Sequence, residues 1–204
     1  MTDLRFHYPD YDVMASIDEW DDHTKEIVLK RLGPFPEKRF LEEQEVRKLR
    51  LIIKHLVYDN RDEILDWILS YIDQRLHSEI GENQRKLKAP PEKLLIREGL
   101  KTLDKLAEKL YYQSFADAGT KEQFEMLASI QLGKAANIPE WATIPQKDLF
   151  DKLLDMIISA YYSHPTIWSE MGYGGPAYPR GYYRIELPWT DPWEAKLPEE
   201  KGQE

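Results

Sequence analysis

The 204-residue chain has no cysteine. That excludes disulfides, thiolate zinc sites, cysteine-ligated iron–sulfur clusters and covalent C-x-x-C-H haem attachment. It also lacks any run of about 18 apolar residues, so no transmembrane helix and no direct membrane insertion is expected. The N-terminus, MTDLRFHYPDYDVMASIDEW, has no basic n-region, no apolar h-region and no twin arginine. It does not read as a signal peptide, and the expected location is the cytoplasm, with export by a partner-borne signal as the alternative.

The surface is short of positive charge. The formal net charge is −9, with 37 acidic against 28 basic residues. An acidic protein repels phosphate backbones, so nucleic acid is not expected as a partner. Catalytic motifs are missing as well: there is no H-E-x-x-H, E-x-x-H, G-x-S-x-G or G-K-[ST]. GYGGPA, residues 172–177, formally fits a dinucleotide fingerprint, but a helical pattern precedes it where a strand is required, and Pro176 and Pro179 occupy the place of the following helix.

What remains is helical. Hydrophobic content is 42%, enough for a sizeable core. WDDHTKEIVLKRL opens acidic and ends basic, as the helix dipole favours, with Asp21 or Asp22 as the cap. Apolar residues recur at helical spacing around Leu41–Leu56 and Ile64–Leu76, with Gly81 and the charged run ENQRKLK closing the second pattern. APPEKLLIREGLKTLDKLAEKLYY starts at a Pro pair and contains Gly99, read either as a loose spot or as a close helix–helix approach. Thr120 with Gln123 fits a capping box before KEQFEMLASIQ. NIPEWATIPQ reads as a loop, and Pro145 precedes the amphipathic QKDLFDKLLDMIISAYY. No alternating strand pattern and no internal repeat appears before residue 160.

The expectation is an all-α fold of about six helices with at most a short strand pair near the C-terminus. It divides into an N-terminal arm (1–20), a helical domain (21–162) and an irregular Pro/Gly/aromatic C-terminal segment (163–204). The acidic groups Glu42, Glu43 and Glu45, and Asp59, Asp62, Glu63 and Asp66, read as solvated first helical turns rather than metal ligands. His164 reads as a helix-terminus residue bonding the last carbonyls of the preceding helix, with an acid/base or ligand role as the sharper alternative.

SHPTIWSEMGYGGPAYPRGY resembles the C-terminal signature of the gluconate 2-dehydrogenase subunit 3 family, the small or gamma subunits of sugar and sugar-acid dehydrogenases. Ser163, His164, Pro165, Trp168, Gly172, Tyr173, Gly175, Pro176, Ala177 and Tyr178 fill the places of its motif. FLEEQEVRKLRLIIKHLV and REGLKTLDKLAEKLYYQSFADAGTKEQFEMLASIQ are similar to its upstream helices, so that the likeness covers roughly residues 38–182.

The resemblance implies a non-catalytic subunit that supports folding, stability or export of a large flavoprotein of the glucose–methanol–choline type. FAD is then carried by the partner and no cofactor by this chain, and a cytochrome c subunit can complete the complex. The family's twin-arginine leader has no counterpart in the arm, whose Phe6, Tyr8, Tyr11 and Trp20 read as a second clasp. Large rigid aromatics and arginine carry much of the energy of interfaces. Trp168, Tyr173, Pro176, Tyr178 and Arg180 are therefore the expected partner-binding residues, with packing on the chain's own core as the competing reading. A free-standing helical enzyme with an atypical carboxylate or histidine site and a generic helical adaptor are the alternative functions.

Overall fold

The computed structural model describes residues 8–78, 90–181 and 191–196. Phe6, the Gly81–Lys88 run and Tyr182 lie outside the described residues. Those described are all-helical, with seven α-helices, two 3-10 turns and no strand. No helix among them is long and apolar enough to cross a membrane. The chain divides into two compact units: residues 36–160 form one, and the two chain ends, 1–35 with 161–204, form the other.

The 36–160 unit contains α2 (Glu43–Val57), α3 (Asp62–His77), α4 (Glu92–Tyr111), α5 (Thr120–Gln131) and nearly all of α6 (Gln146–Tyr161). Its core includes the aliphatic stripes anticipated from the spacing, Leu49, Ile52 and Ile53 of α2 and Ile64, Leu65, Ile68, Leu69, Ile72 and Leu76 of α3. On α4 the expected Leu95, Leu103 and Leu106 are buried, joined by Leu100, whereas Leu94 and Leu110, also expected inside, are exposed. Gly99 is a close approach, not a loose spot. A Cβ there would lie 2.3 Å from Leu149 Cδ1 of α6.

Several acidic residues that read as solvated turns are built into this unit. Glu45 is buried; its carboxylate accepts the Glu42 N–H at 2.9 Å, closing the α2 N-terminus, and also receives Arg97 Nε at 3.1 Å. Asp59 is buried against the Arg61 guanidinium, 2.5 Å away, while Asp62 and Asp66 both receive Arg50. The helix rule was right about dipole preference but blind to tertiary partners.

The capping box at α5 is displaced by one residue. Glu122 accepts the Gly119 N–H at 2.8 Å, so the start is Gly119, not Thr120. Gln123 instead turns inward. It donates to the Phe115 and Ala118 carbonyls at 3.1 and 2.9 Å and meets His55 Nε2 at 2.9 Å.

The unit of chain ends is built differently. Its described elements are a 3-10 turn (Val13–Glu19), α1 (Asp22–Leu29) and a short α7 (Pro165–Met171). Asp21 caps α1, accepting the Thr24 N–H at 2.8 Å, as the sequence suggested. The arm is thus partly helical, and α7 occupies a stretch expected to be irregular. Pro165 sits where its missing N–H costs nothing, at the first position of α7.

Candidate functional site

The motif residues gather around α7. His164 precedes the helix, and its Nδ1 accepts the Thr166 N–H at 3.2 Å, while its carbonyl accepts the Trp168 N–H at 3.1 Å. The ring therefore caps the start of α7, a role that the reading of His164 as a residue at the end of the preceding helix did not include. An Nδ1 acceptor assigns the ring proton to Nε2.

The other end of α7 explains the W-x-x-x-G-Y spacing. Gly172 takes φ 76°, the left-handed region. The Gly172 N–H donates to the Ser169 carbonyl at 3.2 Å and the Tyr173 N–H to the Trp168 carbonyl at 2.9 Å. This pair of bonds is a Schellman cap, which brings the residue after the glycine back over the residue five positions earlier. Trp168 and Tyr173 accordingly meet edge to face, with ring centroids 5.6 Å apart and planes at 81°.

Trp168 is 5% exposed and belongs to a small core with Val13, Trp20 and Val28. Its Nε1–H donates to the Tyr162 carbonyl at 2.7 Å, and the Arg31 guanidinium lies 5.2 Å from its ring centroid. Arg31 in turn donates to the Ser163 carbonyl at 2.8 Å. Trp168 is therefore an internal anchor of this unit.

Arg180 is also internal. Its side chain is 6% exposed and its guanidinium stands 4.6 Å from the Trp193 ring and 5.8 Å from the Trp20 ring. It donates to the Gly174 and Pro176 carbonyls at 2.5 and 3.1 Å and to the Glu19 carboxylate at 3.0 Å. One planar cation thus fixes the GYGGP loop from within. Pro176 is half-buried beside it.

Tyr173 and Tyr178 point the other way. They are 46% and 67% exposed, and Met171 and Tyr162, on the same short segment, are exposed as well. The structure thus separates the five expected contact residues: Trp168 and Arg180 inside, Pro176 half-covered, Tyr173 and Tyr178 outward. Tyr173 does both, packing on Trp168 while remaining 46% exposed.

Sequence reasoning missed the arm's role in shaping this segment. Tyr11 Oη donates to the Trp193 carbonyl at 2.6 Å, and the Val13 N–H donates to Ser169 Oγ at 3.1 Å. Burial pushes the Tyr11 phenol up to about 12, against the opposing pull of Arg180, so it stays a donor at physiological pH. The arm's aromatic content was the available signal; its partners, more than 150 residues away, were not legible.

Among the described residues no group of three or more His, Asp or Glu side chains is placed to hold a metal. No curated protein and no solved structure matches the chain. A family model, gluconate 2-dehydrogenase subunit 3, matches residues 51–175, more than half of the chain, running from α2 through the Schellman cap to Gly175. With Trp168, Gly172, Tyr173 and Gly175 placed as a helix, its cap and its turn, the chain belongs to the gluconate 2-dehydrogenase subunit 3 family.

Proposed function

We propose that this chain is the non-catalytic small subunit of an acceptor-dependent sugar or sugar-acid dehydrogenase complex, and that it docks on a large FAD-carrying subunit through the outward face of its C-terminal motif. The family supports membership of a multi-subunit gluconate dehydrogenase and hence a partner. The observation that carries the docking face is Tyr173 with Tyr178: large rings held outward by a rigid cap and an internally clamped loop, with Met171 and Tyr162 beside them in sequence. Tyrosines whose backbones are already fixed lose little freedom on binding, which favours them as anchors. FAD and the sugar chemistry belong to the partner, a cytochrome c subunit completes the electron path, and this chain supports the folding or stability of the flavoprotein.

The test is co-production of the chain with the flavoprotein subunit of the same organism. Tyr178→Ser touches no internal contact of the motif. It should weaken co-purification roughly tenfold or more, as loss of an interface anchor of about 2 kcal/mol does, and leave the melting curve of the isolated chain unchanged. Undiminished co-purification of a Tyr173→Ser/Tyr178→Ser double variant would remove the docking face. A flavin band in the isolated chain at one per molecule would remove the non-catalytic assignment.

A further inference from the structure

The glycines of the motif are spaces for aromatic rings. A Cβ on Gly172 would lie 2.4 Å from Tyr8 Cε2, one on Gly174 2.6 Å from Trp193 Cδ1, and one on Gly175 2.6 Å from Trp20 Cζ2. Two of these rings come from residues 8–20 and the third from 191–196. All three lie outside the 51–175 stretch that carries the family likeness. The same arm supplies the polar ties: Tyr11 to the Trp193 carbonyl, the Val13 N–H to Ser169 Oγ, and Glu19 to Arg180.

We propose that residues 8–20 act as a ligand held in cis by the motif, an aromatic-bearing segment whose seating shapes residues 172–181 into the form that presents Tyr173 and Tyr178, so that partner binding is conditional on the seated arm.

The physical case rests on what the loop lacks. Residues 173–181 contain no regular element, and the backbone is tied to itself within this stretch where the Gly181 N–H donates to the Ala177 carbonyl at 2.6 Å. Gly175 and Gly181 both adopt positive φ, and glycine-rich backbone loses the most freedom on ordering. Ordering this loop therefore needs contacts from elsewhere, and Trp20, Tyr8 and Trp193 supply them in the spaces where side chains are missing.

This inference rests on the docking face proposed above, and its test separates the two. In the full chain, Tyr11→Phe deletes one hydrogen bond without changing volume, and Trp20→Ala empties the space facing Gly175. Hydrogen exchange at the Tyr173 and Ala195 amides reports seating in the isolated chain. Both amides are bonded inside this unit, Ala195 to the Gly172 carbonyl at 3.3 Å. Co-purification with the flavoprotein subunit reports binding.

Loss of the bond in Tyr11→Phe should raise exchange about 2–10-fold, with a larger rise for Trp20→Ala, and the affinity should fall by a comparable factor once the unseated form predominates. Unchanged exchange at both amides in both variants would overturn the seating. Raised exchange to a predominantly unseated form with undiminished affinity would overturn the conditional coupling. If arm variants weaken binding while the Tyr173→Ser/Tyr178→Ser double variant does not, the arm controls a different face, and the docking assignment fails while the coupling stands.

Discussion

The two units of this chain reach order by different means. The 36–160 unit buries a long aliphatic stripe, with nine apolar positions on α2 and α3 alone fully or almost fully covered. The unit of chain ends has a buried cluster of four, Val13, Trp20, Val28 and Trp168, two of them tryptophans. It makes up the deficit with specific devices: a Schellman cap, a stacked arginine, and hydrogen bonds between residues more than 150 positions apart. Non-directional burial tolerates exchange of one aliphatic residue for another, whereas directional ties depend on particular atoms. The second unit should therefore be the more sensitive to loss of a single directional contact.

The sharpest way to break this contrast is Trp168→Ala. The ring is the centre of the small cluster, the acceptor of the Arg31 cation and the packing partner of Tyr173. Its loss should cost about 3–5 kcal/mol, as large aromatic deletions in cores do. The expected outcome is a loss of near-ultraviolet aromatic dichroism with most of the far-ultraviolet helical signal kept, because α2 to α5 lie in the other unit. Full loss of helical signal at the same temperature would show that the two units do not differ in the manner described.

This contrast also explains what the amino-acid sequence revealed. The all-α class and the positions of α2 to α6 follow from a 3.6-residue apolar period, which is a local signal. The W-x-x-x-G-Y motif pointed to the right segment but not to its conformation: a seven-residue helix capped at both ends has too short a period to register. The sorting of Trp168 and Arg180 inward and Tyr178 outward was not legible either, because it is set by Arg31, Trp20, Glu19 and Trp193, none adjacent in sequence. Glu45 and Gln123 show the same limit within the helical unit, where polar residues expected at a solvated turn or a cap are buried on distant partners.

Asp73 sharpens the comparison, being a directional device inside the aliphatic unit. It is 2% exposed, and its carboxylate accepts three consecutive backbone N–H groups, Arg39, Phe40 and Leu41, at 2.8–2.9 Å. Burial works against the charge, but the three N–H bonds prevail and hold its carboxyl below the usual range. A depressed pKa in the folded state means that the stabilisation is complete above the unfolded carboxyl's value near 3.9 and is lost as pH falls through the folded value. Asp73→Asn should cost about 1–3 kcal/mol at neutral pH by leaving buried N–H groups poorly paired, and should flatten the acid limb of the stability curve. Urea titrations of both proteins at pH 3 and pH 7 check this. An acid limb of equal steepness in the variant would show that Asp73 is not the group responsible.

The smallest expected effect is a gain, and it tests whether every residue of the helical unit serves its fold. Tyr58 and Tyr112 follow α2 and α4 with φ of 54° and 59°, the only described residues other than glycine at positive φ. Each closes its helix with a backbone bond, to the Lys54 and Glu108 carbonyls at 3.1 Å. A side chain in this region crowds the following carbonyl, whereas glycine meets no such contact. Neither ring repays the strain by burial, since Tyr58 is 73% and Tyr112 94% exposed. Tyr112→Gly should therefore stabilise the chain, by about 0.5–1 kcal/mol once the greater freedom of glycine in the unfolded state is set against the relieved strain. In a protein of this size that is a rise of about 1–4 °C in melting temperature. Tyr112→Asn, which tolerates the same conformation with less added freedom, should give a rise of similar sign. A fall in melting temperature for both would mean that the Tyr112 ring contributes to the fold despite its exposure, and that the helical unit, like the unit of chain ends, relies on an individual aromatic side chain.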